Sequence, residues 1–370
     1  MEIERQPASS ASDLLSRVRS LISQTGPDMD GDEGFNRVAL ALFAFQFEGV
    51  PIYRRLCESR GVRPGFVKHW SRIPALPATA FKEHVVSSLP EGERSRVFHS
   101  SGTTGHVPSR HYHGTASLSL YEASLLAWYG RHFPGAGSAA CLFLTPPPEL
   151  APHSSLVHMF ETIRSKLTGG DSLFAGQLGA DGSWSLDLNQ LVSAVRAAIS
   201  CSRPVTLLGT AFSFVHWLDY LAVNKTPLRL PVGSRLMETG GYKGRSRAVA
   251  RADLRRLMTI YLAVPESHIV AEYGMSELSS QAYDGVAGEA RPMPGIFKFP
   301  PWVRTQIISP ETGAVAAAGE TGLLRVFDPA NMYSVMAIQT EDLAVGREDG
   351  FELRGRAESS GARGCSLMAT

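Results

Sequence analysis

Little in this sequence would tie the chain to a membrane, a nucleic acid or an oxidising compartment. Only four cysteines occur among 370 residues, Cys57, Cys141, Cys201 and Cys365. None is in a CxxC or other paired spacing, so neither a disulfide framework nor a zinc site is suggested. The net charge is +1, so no global field recruits nucleic acid or an anionic lipid surface. Long apolar runs are missing as well. The most apolar window, residues 38–47, is far too short for a membrane span. Near the N-terminus, Leu14, Leu15, Val18, Leu21 and Ile22 recur at helical spacing with charges between them. That pattern predicts an amphipathic packing helix and not a signal peptide. A cytoplasmic location is the resulting expectation, with small molecules or another protein as partners. What is present, 44% hydrophobic and 19% charged residues, is the composition of an ordinary globular protein of two or three compact units.

Residues 10–85 read mostly as helices, strongly apolar over 35–47 and punctuated by Pro51, Pro64, Pro74 and Pro77. A helix is predicted over 115–133, with Leu118, Tyr121, Leu125 and Trp128 on one face. Residues 139–144 form a short continuous apolar run ended by three prolines, the signature of a buried strand. Residues 205–208 repeat that run after an evident helix over 191–199. Alternating helices and buried strands predict a layered α/β domain. Beyond about residue 290 the β-prone runs 302–308, 322–327, 333–338 and 351–354 are separated by Pro-Glu-Thr-Gly, Gly-Glu-Thr-Gly, Asp-Pro and Asp-Gly turns. They predict a small antiparallel β unit. The expected division is a helical part over 1–93, an α/β core over 94–290, a β subdomain over 291–355 and a tail over 356–370.

Four segments carry chemistry. Ser100-Ser101-Gly102-Thr103-Thr104-Gly105 packs four hydroxyls and two glycines into six residues after a short apolar run. Such density of donors and bare backbone can wrap phosphate oxygens, or it can be a plain turn. His106 follows where a Walker loop would need its lysine. Met237-Glu238-Thr239-Gly240-Gly241-Tyr242-Lys243-Gly244 is a second glycine-rich turn, able to let a ligand lie against backbone. Glu272-Tyr273-Gly274-Met275-Ser276-Glu277 follows an apolar strand-like run. It offers a flat ring for a base, a hydroxyl for a phosphate and a hard oxygen for Mg²⁺; an ordinary helix N-terminus is the other reading. Gln339-Thr340-Glu341-Asp342 precedes Asp349-Gly350 and Gly355-Arg356. An acid at a strand end can accept two ribose hydroxyls, and most such charges are otherwise solvated. His106, His111 and His113 cluster after the first loop, but no third ligand at sensible spacing makes them a metal site.

In this order and spacing, the segments SSGTTG, GGYKG, YGMSE, TED and DGxxxxGR resemble the adenylate-forming enzyme superfamily over roughly residues 95–356. The resemblance implies a layered α/β large domain with a small antiparallel β subdomain, using ATP and Mg²⁺. It implies that Ser100, Ser101, Gly102, Thr103, Thr104 and Gly105 hold the ATP phosphates and that Gly240 and Gly241 border the adenine. Tyr273 would stack on the base, Ser276 touch the α-phosphate, Glu277 ligate Mg²⁺, and Asp342 with Arg356 hold the ribose. The superfamily continues past its Gly-Arg motif into a mobile domain with an assisting lysine. Here 14 residues follow Arg356 and no lysine occurs after Lys298, so that domain is expected to be lacking. The short ending with Cys365 is similar to the acyl-protein synthetases of the bacterial luminescence fatty-acid reductase system. These make an acyl-AMP from a fatty acid, capture it on their own C-terminal cysteine and pass it to a partner acyl reductase. The phenylacetate-CoA ligase branch is similar too and keeps the extra domain.

Cys365 follows glycines and has Arg363 two residues before it, which would favour a nucleophilic thiolate; an incidental tail thiol is the bland reading. Lys243 is the expected stand-in for the missing lysine because it lies in the turn beside the nucleotide. His153, His158, Gly209, Ala211 and Phe212 are expected to shape the acid pocket, with packing as the alternative for the histidines. Two rival functions remain open. One is an acid ligase delivering its adenylate to CoA, a carrier protein or an amine. The other is a nucleotide-binding subunit without catalysis.

Overall fold

The structure is a computed structural model describing residues 10–23, 31–100, 107–135, 139–168, 172–180, 182–240, 249–290 and 295–357. Helices α1 (Ala11–Ser23), α2 (Asp32–Gly49) and α3 (Pro51–Ser59) open the chain, followed by the two-residue strand β1 (Leu76–Pro77) and the single turn α4 (Ala80–Glu83). Strands β2 (Arg96–His99) and β3 (Arg110–His113) pair as a hairpin, and α5 (Thr115–His132) leads into β4 (Ala140–Leu144). Helix α6 (Ser155–Leu167), β5 (Ser172–Phe174), β6 (Gly176–Leu178), β7 (Trp184–Leu186), α7 (Leu188–Ser200), β8 (Val205–Thr210), α8 (Ala211–Val223), β9 (Arg235–Thr239), α9 (Arg251–Leu262) and β10 (Ile269–Tyr273) follow. The last stretch holds β11 (Ala282–Tyr283), β12 (Ile296–Phe297), β13 (Arg304–Ile308), β14 (Thr321–Phe327), β15 (Ala337–Arg347) and β16 (Gly350–Arg356).

The central sheet runs β11-β10-β9-β8-β4-β5, parallel except at β11. Its strands are apolar throughout because both faces are covered. Leu142, Leu144, Leu207, Leu236 and Ile269 pack with α7, α8 and α9 on one face. Phe143, Leu208, Met237 and Val270 pack with α5 and α6 on the other. Parallel alignment puts the carboxyl ends of β8, β9 and β10 along one edge, where open α/β sheets bind ligands.

The second sheet, β12-β16-β15-β14-β13, is antiparallel, with β1 joining β15 in parallel. Segments that the sequence pattern separates share one core here. Leu14, Val18, Phe35, Leu42 and Phe43 of the N-terminal helices pack in one cluster with Leu324, Val326, Ile338 and Phe351.

Two local expectations are corrected. The β-run over 333–338 is a turn up to Met336; β15 begins at Ala337 and continues to Arg347. Side chains take the place of ladder partners in that turn: Gln46 Oε1 accepts from the Met336 amide at 3.0 Å, and Asn331 Nδ2 donates to the Val335 carbonyl at 3.3 Å. Asp342 therefore sits inside a strand and not at its end. It lies opposite Arg356, next to a register shift at Leu343/Ala344. Gly355, at φ +127, takes up that shift in a conformation that suits glycine.

Candidate functional site

Tyr273 ends β10, and its hydroxyl donates to Asp342 Oδ2 at 2.7 Å, joining the central sheet to the second sheet. Burial, then the Asp342 carboxylate, pushes the phenol well above its usual range, so the hydroxyl stays a donor. The Tyr273 ring is flanked by Phe297, Phe299 and Phe351 at 6.1, 6.1 and 5.6 Å. The Asp342 amide donates to Thr340 Oγ1 at 3.1 Å. Arg356, paired opposite it, bonds Glu341 at 2.7 Å. Burial works against the Arg356 charge, but Glu341, Asp342 and Glu277 together outweigh it and raise its basicity.

No helix starts after Tyr273; residues 274–281 are turns and bends, which removes the helix-N-terminus reading of this segment. Ser276 and Glu277 are both buried. The Ser276 hydroxyl donates to Glu277 Oε2 at 2.9 Å and lies 3.3 Å from Ser109 Oγ. Ser109 in turn donates its amide to Ser100 Oγ at 2.9 Å and accepts from the Ser100 amide at 3.2 Å. The first residue of the hydroxyl-rich loop is thereby tied to Ser276. His111 completes this contact from β3. Its Nδ1 lies 2.9 Å from the Ser276 carbonyl and its Nε2 lies 3.0 Å from Ser334 Oγ. A carbonyl can only accept, so Nδ1 carries the proton and Nε2 accepts from Ser334. Burial lowers the His111 pKa to about 4 and keeps the ring neutral.

The backbone behind Glu277 is held by residues the sequence reading missed. Asn331 Nδ2 donates to the Glu277 carbonyl at 2.8 Å, and Asn331 Oδ1 accepts from Ser279 Oγ at 2.6 Å. Asp328 accepts from the Ser279 and Ser280 amides at 3.0 and 2.8 Å and from Ser280 Oγ at 2.8 Å. Asp328 and Asn331 sit in an Asp-Pro turn, a signal that marks a turn without saying what the turn grips.

Gly240 follows β9 at φ +70, where the chain leaves the sheet beside Tyr273. His153 stacks on His99 at 4.7 Å, next to a surface cleft of about 310 Å³ lined by Arg94, Arg96 and Tyr112. His158 instead faces inward from α6, 3.3 Å from Glu122 and 5.2 Å from the Phe98 ring. Gly209 faces the Leu144 side chain: a Cβ there would stand 2.7 Å from Leu144 Cβ. Ala211 is the buried first residue of α8, and Phe212 stacks on His216 at 6.4 Å. Ser101, Gly102, Thr103, Thr104, Gly105, Gly241, Lys243 and Cys365 lie outside the described residues. Among the described residues no three His, Cys, Asp or Glu side chains form a metal cage. No helix among them is long and apolar enough to cross a membrane.

These two sheets and their layering are the large-domain fold of adenylate-forming ligases. The 2-hydroxyisobutyryl-CoA ligase, in its postadenylation state with R3-HIB-AMP, matches at a TM-score of 0.64 and 13% identity, over 96% of this chain and 73% of that one. Its open conformation with 2-HIB-AMP and CoA matches at 0.62 and 14% identity, over 88% and 70%. ATP-bound MatB from Rhodopseudomonas palustris matches at 0.50 and 17% identity, over 72% of this chain and 49% of MatB. In sequence, 70 residues are 41% identical to a phenylacetate-coenzyme A ligase of Thermus thermophilus, over 17% of this chain and 16% of that protein. No family model matches the chain.

Proposed function

We propose that the chain activates a carboxylic acid with ATP. An acid oxygen attacks the α-phosphorus, the bond to the β-phosphate oxygen breaks, and pyrophosphate leaves as acyl-AMP forms. The observation that carries this reading is the convergence of Ser100, Tyr273, Ser276, Glu277, Asp342 and Arg356 where the carboxyl edge of the central sheet meets the second sheet. They come from four separate stretches of chain, and each offers the group that one part of a nucleotide needs.

In this reading Tyr273 stacks on the base, and its hydroxyl orients Asp342 for the ribose hydroxyls, assisted by Arg356. Gly240 and Gly241 border the adenine, while Ser100 and residues 101–105 hold the phosphates. Ser276 turns its hydroxyl to the α-phosphate. A single carboxylate with a neighbouring hydroxyl is the donor set that Mg²⁺ draws from a protein when phosphates and water complete its shell; Glu277 and Ser276 fit it. Bound there, the ion would supply positive charge against the repulsion between the two anionic reactants. Lys243 is the lysine proposed to assist.

The acyl group then passes to a thiol: the sulfur attacks the acyl carbon and AMP leaves. The resemblance nominates Cys365, with a partner acyl reductase as the recipient. CoA is the second acceptor, favoured by the names of the structural neighbours. Incubation with ATP, Mg²⁺ and a carboxylic acid, followed by intact mass measurement, separates them. An acyl mass increase that vanishes in Cys365→Ala supports the protein thiol. Acyl-CoA formed without protein acylation supports CoA, and absence of acid-dependent pyrophosphate exchange refutes adenylation.

A further inference from the structure

Successive residues of a strand alternate between faces, so Leu208, Met237 and Val270 share theirs with Thr210, Thr239 and Glu272, two positions further on, while Thr145 directly follows the end of β4. The face under α5 and α6 thus changes from wholly apolar to wholly polar at the edge where Tyr273 and Ser276 stand. Register confirms the row: Thr210 lies beside Thr239, and Thr239 beside Glu272. Thr239 Oγ1 donates to Glu272 Oε2.

Buried polar groups of the hairpin and of α5 and α6 continue this row. The His113 ring is 4.1 Å from the His111 ring, which itself bonds Ser276. Tyr121 lies 6.3 Å from His113 and 5.5 Å from His158 by ring centroids. The Glu272 carboxyl is near enough to act on the Tyr121 phenol. Among the described residues neither nitrogen of His113, which is 1% exposed, has a hydrogen-bond partner, and neither does the hydroxyl of Thr145, which is 0% exposed. A buried polar atom without a partner destabilises the fold. His113 thus brings two unpaired ring nitrogens to this polar layer.

The layer beneath is filled. Phe143 packs on Phe160 at 5.3 Å and on Phe174 at 4.6 Å, and Tyr129 stacks on Phe133 at 4.7 Å. A long alkyl chain entering here would leave the orphans unpaired and would have to displace these rings. We infer that the acid activated beside Ser276 is short and carries a hydroxyl, which Glu272, Thr239 and His113 bind. This rests on the adenylation reading and departs from the fatty acid that the family resemblance implies. A site built to hydrogen-bond a hydroxyl rejects the analogue lacking it far more strongly than an apolar pocket rejects an added methylene.

The test is acid-dependent pyrophosphate exchange by the full chain with 2-hydroxybutyrate, 3-hydroxybutyrate, butyrate and tetradecanoate. One of the hydroxybutyrates should exceed both unsubstituted acids in kcat/KM by at least about tenfold. Thr239→Val and His113→Phe should each shrink that ratio while leaving the KM for ATP within about twofold. Either variant serves should the other fail to fold. Faster exchange with tetradecanoate, or equal rates for butyrate and both hydroxybutyrates, overturns the inference and leaves adenylation standing. Exchange with none of the four, in protein that binds ATP, overturns the inference together with adenylation.

Discussion

Glu272 and His111 are buried within one site and titrate in opposite senses. Burial raises the Glu272 carboxyl from 4.5 to about 7, against the opposing Thr239 hydrogen bond. The stability it contributes is complete below its unfolded value and is lost as pH rises from 4.5 through about 7. Burial lowers His111 from 6.5 to about 4, so its contribution is complete above 6.5 and is lost as pH falls toward 4. Each amounts to on the order of 3 kcal/mol across its window, and in the native protein the two largely cancel. Glu272→Gln should therefore unmask a loss of stability on acidification, and His111→Gln a loss on alkalinisation. Urea midpoints between pH 4.5 and 7.5 measure both, and parallel flat profiles would count against the assignment. Tyr273 gives a second test at this scale. Tyr273→Phe removes one hydrogen bond to Asp342, worth about 1 kcal/mol, and should raise the KM for ATP roughly fivefold. Asp342→Ala removes the proposed ribose acceptor itself and should cost more than Tyr273→Phe; equal small effects would remove Asp342 from the nucleotide site.

The elements were unequally legible. The helices over 115–132 and 188–200 and the buried strands over 140–144 and 205–210 follow from periodicity and apolar runs, because both are set locally by which faces are covered. The run 333–338 misled for the converse reason. Its β-prone residues lie in a turn whose amide and carbonyl groups are met by Gln46 and Asn331, distant in sequence or on the turn itself. The motif residues Tyr273, Ser276, Glu277 and Asp342 were visible as motifs, whereas Ser109 and Asn331 carry no local signature. Asn331 holds this turn by donating to the Glu277 carbonyl at 2.8 Å and accepting from the Ser279 hydroxyl at 2.6 Å. Asn331→Ala should cost roughly 2–3 kcal/mol of stability. Because the change bears on the turn that holds Ser276 and Glu277, exchange activity should fall more than ATP binding. A variant with unchanged urea midpoint and activity would refute the role.

Across the whole molecule, the N-terminal helices and the second sheet pack as one body. Besides the shared apolar core, Gln46 of α2 donates to the Asn331 and Met332 carbonyls, each at 3.0 Å, and accepts from the Met336 amide at 3.0 Å. Gln46→Leu leaves three backbone groups without that partner. It should lower the denaturant midpoint by an amount equivalent to about 3 kcal/mol, with one cooperative transition and an unchanged m-value. A separate early transition would show instead that the helices unfold by themselves.

By itself the sequence determined the layered α/β class, the buried strands and the five motif segments, since apolar periodicity, turn residues and short-range spacing are local properties. Tertiary structure alone decided that Tyr273 meets Asp342, that His111 and Asn331 brace the turn of Ser276 and Glu277, and that a polar row faces inward at the edge of the sheet. Those outcomes depend on strand order and register, which join residues from 54 to 223 positions apart and which no short window of the chain can contain.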